Sequence, residues 1–199
     1  MISSNETGSI KFKCNWLLSE PVDEKMILDL NRWRDILFDY KYIGVYPNGI
    51  GYGNISIRLS EKEFLITGTS TGHLDKLTNQ HYSKVISYNF NENSLTCLGP
   101  IKASAESLTH AAIYEMDPDT QAIIHIHNKK MWDILLDKIP TTSANVEYGT
   151  PQMALEIKRL FHETNLIEKK ILVMGDHEEG IIAFGKDLEE AGHLILAHQ

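Results

Sequence analysis

Ala122-Ile123-Ile124-His125-Ile126-His127 is the stretch that orders the rest of the chain. Three isoleucines favour an extended backbone, and apolar residues at both odd and even positions describe a strand covered on both faces. Such a strand calls for helices above and below its sheet. His125 and His127 are two residues apart, so their side chains leave the same face. Two imidazoles at that spacing can chelate one ion, and imidazole suits zinc and related transition metals. They can equally be polar residues on the solvent face of an edge strand. The apolar neighbours point towards burial, and buried imidazoles need partners.

Downstream, Met131 to Leu136 reads as a short helix and Pro151 to Asn165 as a longer amphipathic one. Lys170 to Met174 and Ile181 to Phe184 are strands, and Leu188 to His198 is a closing helix. Upstream, Ser104 is an N-cap for a helix from about Ala105 to Met116, which Asp117-Pro118 ends. Val85 to Phe90 and Ser94 to Cys97 form a hairpin turning at Asn91 to Asn93. Asn54 to Arg58 alternates like a strand, with Glu63 to Thr67 as its partner. Gly44 to Tyr52 is a turn-rich loop. Asp23 opens a helix running to about Tyr40, with Met26, Leu30, Trp33, Ile36 and Leu37 on its apolar face. This order predicts an α/β fold with a largely antiparallel or mixed sheet under helices, not a regular βαβ alternation. Residues 1–20 are expected to be an N-terminal arm and residues 21–199 a single domain.

The chain has 199 residues, 42% of them hydrophobic, enough for one sizeable core. Its net charge of −8 disfavours nucleic acid, whose phosphates attract Lys and Arg patches. No apolar run reaches membrane-spanning length, and polar Met1 to Lys13 lacks the apolar stretch of a secretory signal. Cys14 and Cys97 sit at no metal-ligand spacing and read as two reduced thiols of a cytoplasmic protein.

Beyond the histidine pair, Glu106 falls in the first turn of the Ser104-capped helix, where the helix dipole favours a carboxylate for structural reasons alone. His110 lies one turn further on the same face. His177 sits in the turn Gly175-Asp176-His177-Glu178-Glu179-Gly180, where a third ligand could reach in, or where a solvated acidic turn would simply carry it. Gly51-Tyr52-Gly53-Asn54, Thr67-Gly68-Thr69-Ser70-Thr71-Gly72 and the start of the Ser104 helix can each offer N–H groups and hydroxyls to an anion, though a Gly-rich loop is more often just a turn. The chain contains no P-loop, no G-x-S-x-G elbow and no H-E-x-x-H.

In this order the motifs resemble the class II aldolase/adducin family over about residues 24–198. Gly53-Asn54-Ile55-Ser56-Ile57-Arg58 matches G-N-x-S-x-R, and Ile66-Thr67-Gly68-Thr69-Ser70-Thr71-Gly72 matches a one-residue-longer I-T-x-(T/S)-G. Ser104-Ala105-Glu106 through His110 matches S-(S/A)-E-x-x-x-H, and His125-Ile126-His127 matches H-x-H. The late H-G-x-x-x-x-G motif returns as His177-Glu178-Glu179-Gly180 through Gly185, with two glutamates inserted. The resemblance implies a three-layer α/β/α sandwich around a largely antiparallel sheet, usually in a cyclic homotetramer. It implies zinc, or another divalent ion such as Mn2+, Co2+ or Fe2+, on His125, His127 and His177. It puts Glu106 at the catalytic carboxylate, and Asn54, Thr69, Thr71, Gly72 and Ser104 around a substrate phosphate. Tyr148 falls near a tyrosine that reaches a neighbouring site, and Glu147 near a catalytic acid of the family's dehydratases.

Ala105 departs from a serine that often contacts phosphate, as in some of those dehydratases. The chain also ends at Gln199, before the tail whose tyrosine assists some aldolases. The activity implied is that of an aldehyde-lyase, acting on a small, phosphorylated carbohydrate through a metal-stabilised enediolate, with Glu106 shuttling the proton. Dehydration and 4-epimerisation use the same intermediate and stay open. A non-catalytic adducin-like module also stays open, although that branch lacks the metal ligands.

Overall fold

A computed structural model describes residues 9–199. The chain runs β1 (Lys13–Leu18), α1 (Leu28–Asp39), β2 (Gly44–Val45), β3 (Gly51–Tyr52), β4 (Asn54–Arg58), β5 (Phe64–Thr67), β6 (Tyr82–Asn89), β7 (Ser94–Gly99), α2 (Ser107–Met116), β8 (Ala122–His127), α3 (Lys129–Leu135), α4 (Pro151–Glu163), α5 (Leu166–Lys169), β9 (Ile171–Val173), β10 (Gly180–Gly185) and α6 (Leu188–Leu196). Eight strands form one sheet in the order β1-β7-β6-β5-β4-β8-β10-β9, and β2 with β3 makes a separate ribbon. Among the described residues the eight strands of the large sheet pair antiparallel except β1 with β7. Among the described residues no helix is long and apolar enough to cross a membrane.

All six residues of β8 are buried, which is the outcome its uninterrupted apolar character predicts. Strand alternation divides them between two cores. Ile123 joins Leu108, Ala112, Ile157 and Leu166 from α2, α4 and α5 on one side. Ala122, Ile124 and Ile126 join Leu30, Trp33, Met131 and Ile195 from α1, α3 and α6 on the other. The protein is therefore an α/β/α sandwich over a largely antiparallel sheet. His125 and His127 follow Ile123 on the α2/α4 side, at the end of β8 where helix cover gives out. Register fixes their neighbours: Asn54 lies opposite His125 on β4, and Gly180 lies opposite His127 on β10.

α1 starts at Leu28, later than expected, because Asp23 caps a 3₁₀ turn (Glu24–Ile27) before it, the Lys25 N–H donating to Asp23 Oδ1 at 2.9 Å. Leu30, Trp33 and Leu37 are buried, whereas Met26 stays partly exposed. The expected arm over residues 1–20 needs correction. Residues 13–18 are β1, held by its ladder to β7 and by Trp16 Nε1–H donating to the Gly99 carbonyl at 2.9 Å. Cys14 and Trp16 face inward while Lys13 and Asn15 face out, a half-covered edge strand. Residues 1–8 of that arm lie outside the described residues. The Gly44 to Tyr52 loop contains the β2–β3 ribbon, and α2 begins at Ser107, two residues later than expected.

Candidate metal centre and active site

The end of β8 delivers two imidazoles, and the turn between β9 and β10 delivers the third. His177 lies over Gly180, where an added Cβ would come within 2.7 Å of its ring. The ring therefore needs the bare glycine beneath it. One nitrogen from each of His125, His127 and His177 falls within 4.8 Å of the others. His127 Nε2 and His177 Nε2 are 2.9 Å apart. All three side chains are buried, His177 the most exposed at 8%.

Burial keeps these rings neutral, which is the form a metal needs. It holds His125 and His127 well below the usual imidazole range, with neighbouring histidines adding to the effect. His177 is lowered to about 4, first by burial and then by Lys11. His125 Nε2 is buried without a hydrogen-bond partner among the described residues. A lone buried nitrogen of this kind costs about 1–3 kcal/mol. A cation shared with the other two rings would satisfy it, so the donor set fits a zinc-like ion. Asn54 Nδ2 lies 3.2 Å from His125 Nδ1, and Asn54 Oδ1 has no partner among the described residues either. A half-turn of the amide places its carbonyl on Nδ1–H and leaves Nε2 as the lone pair.

Glu106 stands at the N-cap position of α2, buried at 4% exposure. Its N–H donates to Ser104 Oγ at 3.4 Å, and the Ser104 carbonyl accepts from Ser107 N–H at 3.1 Å. This tight entry turn pushes the helix start past Ser104 and aims the Glu106 side chain into the cleft. Glu106 Oε2 accepts from Thr109 Oγ1 at 2.9 Å, and Oε1 lies 3.7 Å from His177 Nε2. Burial raises the carboxyl to about 7, against the lowering pull of the Thr109 hydroxyl and Lys11. A group there can hold or release a proton near neutrality.

The loop of residues 68–72 lines the same cleft together with Asn54, Ser104 and Glu106. Its path is constrained on both sides. A Cβ on Gly72 would meet the Gly44 carbonyl at 2.0 Å. Buried Arg34 donates to the carbonyls of Asp75 at 2.8 Å, Thr71 at 3.4 Å and Gly72 at 3.5 Å. Thr71 Oγ1 donates to the Gly68 carbonyl at 2.9 Å, so it braces the loop.

The structure thus brings His125, His127, His177, Glu106, Asn54, Thr69, Thr71, Gly72, Ser104 and Tyr148 around one cleft. The Tyr148 ring lies 4.8 Å from the His177 ring. Glu147 does not line it. That side chain is 41% exposed and pairs with Lys11 at 3.2 Å. His110 sits beneath the site, buried, 2.8 Å from Ser56 Oγ and lowered to about 3 by burial. Sequence reasoning missed Tyr46, Tyr52, Lys11 and Arg34. Tyr52 stacks on His127 at 5.3 Å, and Tyr46 Oη lies 2.8 Å from His127 Nδ1. Two tyrosines in a Gly-rich segment just before Gly53-Asn54 were the available signal.

Comparison with known proteins turns on one match: residues 48–199 fit the model of the class II aldolase and adducin N-terminal domain. The chain belongs to that family. A family relative, the 3-oxo-tetronate 4-phosphate decarboxylase of Haemophilus influenzae, is 30% identical over 111 residues, covering 55% of this chain and 49% of that protein. The chain therefore aligns with about half the length of that curated relative. The family fold is also seen in YgbL of Escherichia coli, with TM-score 0.64 and 19% identity over 87% of this chain and 84% of that one. An L-fuculose 1-phosphate aldolase gives TM-score 0.66 and 16% identity over 88% and 82% of the two chains.

Proposed function

We propose that this member of the family is a divalent-metal-dependent lyase that breaks a carbon–carbon bond beside a carbonyl in a small sugar phosphate. The observation that carries the proposal is the meeting of three buried, neutral histidines with a carboxyl raised to about 7 in one cleft. His125, His127 and His177 would hold the ion, zinc in the first instance or Mn2+, Co2+ or Fe2+. Bound there, a divalent ion supplies Lewis acidity towards a carbonyl and an adjacent hydroxyl. Glu106 takes the proton from, or returns it to, the carbon next to that carbonyl, and Thr109 holds its far oxygen in place. The loop of residues 68–72, with Asn54 and Ser104, receives the phosphate through N–H and hydroxyl donors rather than lysines or arginines. Tyr148, whose ring lies 4.8 Å from that of His177, would contact the leaving fragment. A homotetramer, with sites completed between subunits, is part of this proposal.

Two bond cleavages fit the same groups. Aldol cleavage releases an aldehyde, and decarboxylation of a 3-keto acid releases carbon dioxide; each leaves an electron pair beside the carbonyl. The decarboxylase relative favours the second as the alternative. Incubating zinc-loaded protein with ketose phosphates and keto-acid phosphates separates them by product. An aldehyde supports aldol cleavage, carbon dioxide supports decarboxylation, and loss of water with the carbon chain intact refutes carbon–carbon cleavage.

A further inference from the structure

His127 needs its Nε2 free of hydrogen to serve as a ligand, and a neutral imidazole carries its proton on either nitrogen. What decides between them is the partner at Nδ1. That partner is Tyr46 Oη, 2.8 Å away. Tyr46 also hydrogen-bonds Glu179 Oε2 at close range. A tyrosine hydroxyl has one proton, and an ionised carboxylate can only accept. Tyr46 must therefore donate to Glu179, which leaves its oxygen as an acceptor towards His127. The Nδ1 of His127 then carries the proton, and Nε2 is a lone pair facing His177 Nε2 at 2.9 Å.

We propose that Glu179 and Tyr46 are positioning residues that fix His127 in the Nδ1–H tautomer and so aim its Nε2 lone pair into the metal pocket. The proposal rests on the three-histidine reading of the site.

Two further features single out this relay. Glu179 belongs to the insertion His177-Glu178-Glu179-Gly180, where the family motif passes from histidine straight to glycine. Glu179 also adopts φ +73°, a left-handed conformation disfavoured for a side-chain-bearing residue. Its carbonyl accepts from Asn128 N–H at 2.9 Å, which ties the turn to the residue after His127. Glycine would fit this backbone more cheaply. A glycine would forgo the carboxylate, whose contact here is the Tyr46 hydroxyl. Tyr52, stacked on the His127 ring, holds the ring plane while the relay sets the proton.

The test uses the full chain, metal-free and then titrated with zinc against a chromophoric chelator. Nitrogen-15 spectra of histidine-labelled, metal-free protein, assigned with His127→Gln, should show His127 as the Nδ1–H tautomer. Tyr46→Phe should shift it towards the Nε2–H form and weaken zinc binding by about 10–100-fold, the range seen for partners behind a metal ligand. Glu179→Gly should unfold at a higher denaturant concentration than wild type, yet lose the tautomer preference and bind zinc at least about tenfold more weakly. A purely structural Glu179 would give the added stability with zinc affinity unchanged, and that result overturns the proposal. So does an Nε2–H tautomer in wild type. If wild type binds no zinc but His127 holds the Nδ1–H form, the metal reading fails and the relay stands.

Discussion

Glu106→Gln separates stability from chemistry at this site. Glu106 is buried, and its carboxyl is raised from the ordinary 4.5 to about 7. The folded state thus binds this proton more tightly than the unfolded state. Its contribution is favourable at low pH and is lost as pH rises from 4.5 through about 7, beyond which the loss levels off. A shift of that size corresponds to about 3 kcal/mol of penalty for ionising the group in the folded, metal-free protein. Glutamine keeps the shape and still accepts from Thr109, but cannot ionise. Urea unfolding of metal-free protein should show Glu106→Gln more stable than wild type by up to about 3 kcal/mol near pH 8, with the difference vanishing below about pH 5. Zinc-loaded Glu106→Gln should lose about 10²–10⁴-fold in turnover while keeping its metal. A stability difference that does not change with pH would refute the assignment of a buried, perturbed carboxyl. Unimpaired turnover would refute its role in proton transfer.

The same geometry sets other outcomes. Gly180→Ala puts a Cβ within 2.7 Å of the His177 ring; we expect a folded protein with zinc affinity reduced at least about tenfold, read by chelator competition. Gly72→Ala forces a Cβ to 2.0 Å from the Gly44 carbonyl, and because backbone must move it should lose about 3 kcal/mol in chemical denaturation. Metal-free wild type should lose stability as pH falls below 6.5, because His177 and His110 stay neutral in the fold down to about 4 and about 3 while the unfolded chain takes up protons. Glu106 opposes this between 4.5 and 7, so the loss should steepen in Glu106→Gln, as measured by urea unfolding across that range.

The fold was legible where the signal is local. β8, β4 and the hairpin of β6 and β7 follow from apolar runs, alternation and turn residues, and α1 follows from the spacing of Leu30, Trp33 and Leu37, while Asp23 caps the 3₁₀ turn that precedes it. β1 was not legible. Its two inward residues, Cys14 and Trp16, are too few to establish a period, and its partner β7 lies some eighty residues away. The site was legible in part for a similar reason. The spacing of His125 and His127 states their shared face, whereas His177 joins them only through the β8–β10 register; its turn left it one of two readings, and family resemblance chose the ligand. That resemblance also nominated Glu147, which the structure places in a surface pair with Lys11. Tyr46 left only the faint trace of a tyrosine in a Gly-rich segment, because its meaning depends on Glu179, 133 residues away.

The proposed function depends on His125, His127 and His177 holding one divalent ion. Equilibrium dialysis of metal-free full-length chain against zinc, near neutral pH with elemental analysis of the protein, tests it most directly. Wild type should hold one ion tightly per chain, and His125→Ala, His127→Ala or His177→Ala, each checked for native secondary structure, none at the same free zinc. A wild-type chain that retains no zinc, manganese, cobalt or iron under these conditions would contradict it, as would any folded single-alanine variant that binds the ion as tightly as wild type.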